Sequence, residues 1–596
     1  MLPSGEVARW LLMADPAPTL SRLVQEAIGA AFGPELAGVD PVLRRSQHPR
    51  FGDYQANVAM ALAKRLGRAP REVAGAIVEH LSAGGVCRTV EVAGPGFINL
   101  TLEEAYLASQ IEHAASDPRL DMPEAAQRHT FVVDYSAPNS AKEMHIGHLR
   151  STVIGDALAR TLGWLGHGVI RQNHIGDWGT QFGMLIEHLA TSGWRPGSST
   201  ISDLNQLYQE AQAAFESDPA FAERARRRVV ALQSGDPATL ALWRELIRES
   251  ERHMEEVYSR LGVLLTREDM RGESFYNDLL EPTVEELSSK GLLRIDDGAL
   301  CAFPPGFTGR DGTPLPMIVR KSDGGFNYNT TDLAAVRFRV RELGADRLVY
   351  VVDARQAQHF AMLFAIARQA GWLGEEFRAE HVAFGTILGP DGRPFRTRAG
   401  GTVRLSELLD EAAERAAAIV ADKNPDLTPS QRAEVARAVG IGAVKYADLA
   451  NDRVKDYVFD WDRMLAMDGN TAPYLQYAHA RIRSIFRRGE EALSDGIIRE
   501  PGQSVTLVEP AERALALELV GLAGVLNATA DHLEPHRICT YLFDLASAFT
   551  TFYECCPVLR APSEESRTSR LTLCEVTAQT LSVGLGLLGI EAPERM

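Results

Sequence analysis

Cysteine is scarce in this chain, six residues in 596, and no two stand in a C-x-x-C pair. Cys555 and Cys556 are adjacent and cannot make the usual metal knuckle, so zinc and a disulfide framework are not expected; free thiols in a reducing compartment are. Long apolar runs are missing as well. None approaches the length that spans a bilayer, and the start, MLPSGEVARWLLMADPAP, has no basic segment leading into an apolar one. A cytoplasmic chain without a membrane partner is therefore expected. Positive charge is in deficit: 62 Lys and Arg against 79 Asp and Glu leave a net charge of −17. That excludes a uniformly basic surface, so any nucleic-acid contact has to come from local patches. What remains, 45% hydrophobic and 24% charged residues, is ordinary globular composition, and the length calls for several domains.

Against these absences stands one informative stretch, residues 131 to 156, FVVDYSAPNSAKEMHIGHLRSTVIGD. The apolar run Phe131 to Val133 with Tyr135 reads as a central parallel strand, and a helical pattern resumes at Met144. His145 and His148 then sit at a helix N-terminus, where unpaired N–H groups and the positive end of the dipole favour phosphate. Three apart, they share a face and can donate to phosphate oxygens, while Gly147 lets a base or ribose lie against the backbone. A single histidine there is more often a cap or a surface group. Two of them flanking a glycine directly after a strand favour a nucleotide site, because the glycine costs helix stability for no structural return.

The run DYSAPNSAKEMHIGHLRST, followed in order by NHIGDWGTQFGML, KSDGGFNYNTTDLAA, VVDARQAQHF and YADLANDRVKDYVFDW, resembles the bacterial arginyl-tRNA synthetases of class I. The resemblance covers nearly the whole chain, and several blocks are specific to the arginine enzymes. It implies an α/β fold: a Rossmann-type nucleotide-binding catalytic domain, an added α+β N-terminal domain and an all-α C-terminal anticodon-binding domain. The expected divisions are 1–115 for the added domain, 116–390 for the catalytic domain with a helical insertion at about 190–300, 391–465 for a loop and stem-contact region, and 466–596 for the helical domain.

The pattern supports that organisation independently. An amphipathic stripe of Leu20, Leu23, Val24, Ala27, Ile28, Ala31 and Phe32, helices around 56–66 and 70–81, and a strand pair in VEVAGPGFINLTL make a compact first module. In the family such a module contacts the tRNA elbow. Then FVVDYS, VIRQNHIG, MIVRKS, RLVYVVDA and HVAFGTIL alternate with helices, which predicts a parallel sheet with ligands at the C-terminal strand ends. Beyond 465 the pattern is helical, and the last helix carries Leu571, Cys574, Ala578, Leu581, Leu585 and Leu588 before stopping at Gly589.

Residues at the strand ends suit a guanidinium. Tyr328 and Asp332, four apart, project together from one helix face, and a carboxylate accepting two parallel N–H bonds matches a planar fork of donors. From spacing alone Asp332 serves equally as a helix-face carboxylate paired with a neighbour such as Arg337. The resemblance implies that Tyr328, Asp332, Gln356 and Asn139 bind arginine, and Asp134 could add a second negative group. One departure stands out: where class I enzymes carry a lysine-rich KMSKS loop, GPDGRPFRTRAGGT has no lysine. Arg396 and Arg398 are available there, and the family implies that a lysine just ahead of the histidine motif compensates. Lys142 occupies that position, although a loop lysine is by default solvated surface.

Two basic clusters could meet RNA. Arg224, Arg226, Arg227 and Arg228 read as a solvated helix face. APYLQYAHARIRSIFRR instead places Tyr474 and Tyr477 ahead of Arg481, Arg483, Arg487 and Arg488, the equipment for stacking unpaired bases beside phosphates. Tyrosines at helical spacing are otherwise core. Similarity to the family's anticodon domain adds Tyr553 and the terminal Met596. The expected activity is arginine–tRNA ligation by a monomer, with L-arginine, ATP carrying Mg2+, and tRNA(Arg) as partners. The alternatives are a non-catalytic tRNA-binding paralogue and a class I synthetase for another amino acid.

Overall fold

Why the apolar run after His129 is unbroken becomes plain from its neighbours. In the computed structural model, which describes residues 15–46, 48–140, 142–193, 204–396, 403–492 and 504–596, strand β5 (Thr130–Asp134) lies between two parallel partners and has both faces covered. Among the described residues four strands precede it: β1 (Leu43–Arg45), β2 (Tyr54–Ala56), β3 (Cys87–Ala93) and β4 (Phe97–Leu102) form an antiparallel sheet in the order β1-β2-β4-β3. Helices α1 (Pro16–Phe32), α2 (Val58–Leu66) and α3 (Pro70–His80) cover it, with Leu20, Val24, Ala27 and Ile28 of the first stripe buried. Helix α4 (Glu104–Ser116) leads onward.

The parallel sheet contains β5, β6 (Gly168–Gln172), β10 (Arg347–Asp353) and β11 (Arg378–Phe384) in the order β11-β10-β5-β6. Between β6 and β10 come α6 (Thr180–Thr191), α7 (Leu204–Ser217), α8 (Pro219–Gln233), α9 (Pro237–Leu261) and α10 (Asn277–Ser289), then β7 (Leu293–Asp296), β8 (Ala299–Ala302) and β9 (Met317–Arg320). The expectation for MIVRKS was wrong: β9 pairs antiparallel with β8 in a separate three-stranded sheet. The physical reason is its length and face pattern. Four residues alternate between buried and open positions, with Ile318 exposed, as an antiparallel sheet with one wet face requires.

Helix α5 (Leu149–Trp164) starts later than Met144, because Ile146–His148 first form a 3-10 turn. It is buried almost all round, and its Arg150 donates to Asp448 at 3.3 Å and to the Lys455 carbonyl at 2.9 Å. That ties the motif helix to α14 (Pro429–Leu449), which packs on α13 (Leu405–Lys423). Earlier in the chain, α11 (Tyr328–Arg341) and α12 (Ala357–Gln369) flank β10. Beyond 465, the described residues form helices α15 (Ala472–Ala492), α16 (Pro510–Leu519), α17 (Leu522–His532), α18 (His536–Cys555) and α19 (Glu564–Leu587). The stretch Pro510–His532 is long and apolar enough to cross a membrane by length and composition, a match the sequence reading missed; half of it is buried in the protein. The first module docks on this bundle through Arg513, 2.7 Å from Asp53 and 3.1 Å from Glu104, and Arg45, 2.9 Å from Glu518.

Candidate active site

The histidine motif is built by its own backbone. The Gly147 N–H donates to His145 Nδ1 at 3.1 Å, and the His145 N–H donates to His148 Nδ1 at 3.1 Å, a reciprocal cap across the 3-10 turn. An Nδ1 that accepts a backbone proton has no room for its own. Both rings are thereby held as neutral tautomers with the remaining proton on Nε2, ready to donate outward. Burial, reinforced by neighbouring His145, pushes His148 down to about 3; burial and then the Lys142 charge lower His145. The ring centres sit 4.0 Å apart, and a Cβ on Gly147 would lie 2.8 Å from His145 Cε1, so any larger residue there would push the His145 ring out of its place.

Two segments close on this turn. Ile146 donates to the Val403 carbonyl at 3.0 Å and Leu405 to the Met144 carbonyl at 3.0 Å, so the stretch following the lysine-free loop returns alongside the histidines. Arg396 is exposed on that loop; Arg398 lies outside the described residues. Ahead of the turn, Lys142 holds its ammonium 4.4 Å from the ring centre of Tyr208, on α7. Asn139 is exposed, and its neighbour Ser140 donates to the Gly176 carbonyl at 3.0 Å.

Across the strand ends, the structure brings Tyr328 and Asp332 together around a residue not read as functional from sequence. Asp332 accepts from His359 at 2.6 Å and lies 3.7 Å from His174 Nε2, while the Tyr328 and His359 rings are 5.5 Å apart. Arg337 pairs with Glu286 instead of Asp332. Gln356 is exposed at the N-cap of α12. A second carboxylate joins this group: burial, then the charges of Asp177 and Asp332, push Glu273 up to about 7. His174 and His359 were not read as functional, although both lie inside motif blocks that could have pointed to them. Glu273 sits in a short turn at the end of the insertion with no pattern to mark it.

Asp134 is a correction. Arg339 donates to it at 2.6 Å and to Gln172 at 2.8 Å, both partners buried, so an internal guanidinium already occupies the carboxylate proposed for the substrate's. Of the insertion's arginines, Arg224 and Arg228 pair with the buried Glu187, while Arg226 and Arg227 are exposed and lie beside Glu223 on their own helix.

At the far end, a groove of about 710 Å³ is lined by Tyr477, Arg481, Arg487, Arg488, Tyr553 and Met596. The Arg481 guanidinium stacks 4.3 Å from the Tyr553 ring centre, and Tyr477 is exposed. Tyr474 does not belong to this set. Three residues earlier on α15 it turns toward α18, packs on Phe543 at 5.9 Å between ring centres, and its hydroxyl lies 3.4 Å from Thr550 Oγ1.

Comparison with known proteins matches residues 110–461 to the catalytic domain of class I tRNA synthetases (R), residues 475–596 to the DALR anticodon binding domain, and residues 18–102 to the arginyl tRNA synthetase N terminal domain. The arginine–tRNA ligase of Thermobifida fusca is 57% identical over 98% of this chain and 100% of its own length, and that of Frankia casuarinae 53% over the same shares. Among solved structures, arginyl-tRNA synthetase from Plasmodium falciparum superposes with a TM-score of 0.83 at 28% identity, covering 97% of this chain and 99% of that one. The Thermus thermophilus enzyme gives 0.81 at 27%, covering 97% and 100%.

Proposed function

This chain belongs to the class I arginyl-tRNA synthetase family, and from that premise we propose how its own residues divide the work of an ATP-dependent arginine–tRNA ligase. The activity joins arginine to tRNA in two steps. In the first, the arginine carboxylate attacks the α-phosphorus of ATP, and a carboxylate-oxygen-to-phosphorus bond forms, giving the mixed anhydride, as the bond to pyrophosphate breaks. No general base is needed, because that carboxylate is ionised at neutral pH. In the second, a hydroxyl of the terminal adenosine displaces AMP; class I membership points to the 2′-hydroxyl. ATP enters as its Mg2+ complex, a substrate, and the enzyme works as a cytoplasmic monomer.

His145 and His148 donate Nε2–H to the phosphates, Gly147 admits the nucleoside, and Lys142, with Arg396 and Arg398, offsets charge on the leaving pyrophosphate. Asp332 and Glu273 receive the guanidinium, Tyr328 packs beside it, and Asn139 and Gln356 bond the amino acid's polar end. The observation that carries this assignment is the Asp332 carboxylate held by His359 at 2.6 Å beneath Tyr328. ATP–pyrophosphate exchange with each amino acid, with and without tRNA, tests it. Exchange is expected with arginine only, and only with tRNA present, because a loop without its lysine relies on the acceptor end to assemble the site. Exchange with another amino acid would overturn the guanidinium pocket; exchange without tRNA would overturn the assembly argument alone.

Glu273 gives the pocket a pH dependence. Its carboxyl is half protonated near pH 7, and only the ionised form attracts a guanidinium. Arginine affinity should therefore fall as pH drops through 7, with a proton released on binding below that value. Calorimetry in buffers of different ionisation enthalpy detects the proton, and Glu273→Gln should abolish its release. In the groove, Tyr477→Ala should weaken tRNA binding by about 1–3 kcal/mol through lost stacking, whereas Tyr474→Ala should lower the melting temperature and leave tRNA affinity nearly unchanged. Filter binding and thermal melts separate the two.

A further inference from the structure

The buried ammonium of Lys445, on α14, joins three parts of the chain that are remote in sequence. It donates to the Leu261 carbonyl at the end of α9 (2.9 Å) and to the Gly589 carbonyl just past α19 (2.6 Å). The Asp156 carboxylate of α5 and, more weakly, Glu591 attract its charge while Arg160 opposes it; Asp156 itself accepts from Arg160 at 2.7 Å, from the Leu264 N–H at 2.6 Å and from the Tyr135 hydroxyl at 3.4 Å. Gly589 is fitted to this place. Its φ is +68°, and a Cβ there would stand 2.5 Å from Lys445 Nζ and 3.0 Å from Asp156 Oδ2.

From Gly589 the last residues run along α15 to the groove. Gln476 donates to the Glu591 carbonyl at 2.8 Å, His479 bonds the Pro593 carbonyl at 3.0 Å, Arg487 donates to the Glu594 carbonyl at 3.0 Å, and the chain ends at Met596 in the groove wall. In the other direction, Asp156 lies on the helix that begins directly after His148. A bound base that shifts Met596 therefore pulls on a tail whose origin is held by Lys445, and through Asp156 on the helix carrying the histidine turn. The joint has room to move: a cavity of about 230 Å³ beside it is lined by Arg160, Gly589 and Glu591 among others. Burial costs an ammonium heavily, and two carbonyls with a carboxylate nearby offset that cost only while all three elements keep this arrangement. Coupling two sites requires an element that both of them bias, and this joint is held by the C-terminal tail on one side and lies against the motif helix on the other.

We infer that Lys445 and Gly589 form a clasp that transmits occupancy of the anticodon groove to the ATP-binding histidines, making Lys445 a positioning residue for catalysis. The inference rests on reading the groove as the anticodon site. The test compares aminoacylation of two tRNA(Arg) transcripts, one with its native anticodon and one with the anticodon replaced, by the full-length enzyme and by Lys445→Met, which keeps the buried volume without the charge. In the unsubstituted enzyme the replacement should raise the tRNA Kd and lower kcat. In Lys445→Met the effect on Kd should persist while the kcat ratio between the two tRNAs shrinks by about tenfold, within the usual range of coupling between sites. Gly589→Ala, which presses a Cβ on the same ammonium, should do likewise and covers the case in which the methionine variant fails to fold. An unchanged kcat ratio, or an equal loss of kcat on both tRNAs, overturns the clasp and leaves a structural role. No anticodon effect on the Kd of the unsubstituted enzyme overturns the groove reading, and the clasp with it.

Discussion

Replacing Lys142 by alanine is expected to slow arginine activation by about 10²–10³-fold, the usual cost of removing one donor aimed at developing charge. Both histidines are held neutral by the backbone bonds at their Nδ1 atoms, so they offer N–H groups and no full charge. The loop of residues 389 to 402 contributes arginines but no lysine. Lys142 is then the compact, mobile ammonium nearest the motif, close enough for its charge to lower His145. Its resting place over Tyr208 is a weak one, about 0.5–2 kcal/mol for a cation on a ring, which a polyphosphate readily outbids. Arginine affinity should hardly change, and kcat and kcat/KM should fall together. Rapid-quench measurement of adenylate formation decides: a near-normal rate removes Lys142 from the mechanism. Lys142→Arg should recover only part of the rate.

Asp332→Asn is expected to weaken arginine binding by about 2–5 kcal/mol, because one partner of a desolvated charge pair disappears while the guanidinium still has to shed its water. The arginine KM should rise at least about tenfold while the KM for ATP stays near normal. His359 loses its carboxylate partner at 2.6 Å in the same change, so His359→Gln is the companion variant and should cost less. Calorimetry showing unchanged arginine affinity for Asp332→Asn would place the guanidinium elsewhere.

Much of this site could be read from the sequence because its parts are local. The histidine turn, the position of Lys142, and the pairing of Tyr328 with Asp332 each depend on residues within four positions, where helix and turn geometry fix the outcome. What escaped was set by distant packing. Asp134 read as an open strand-end carboxylate because nothing near it in sequence discloses Arg339, 205 positions away in the chain. Glu273 owes its raised pKa first to burial and then to the charges of Asp177 and Asp332, which only the folded insertion brings near. Tyr474 and Tyr477 look equivalent on a helical wheel, yet α18 covers the first and leaves the second exposed. The fold class was legible from alternating strand and helix patterns, but the short run Met317–Arg320 could not announce its pairing direction, since four residues fit either kind of sheet.

The pair between Asp134 and Arg339 also constrains how this family of sequences can drift. Each partner is shielded from water and each satisfies the other, so losing either alone strands an uncompensated charge at a cost of about 3–5 kcal/mol. That is a large part of a domain's whole stability. Replacing both together by apolar residues of matching volume is close to neutral by the same reasoning. Inherited change at these two positions is thus expected to be concerted: lineages should hold the acid and the base together or neither, with single replacements surviving only where stability gained elsewhere carries the intermediate.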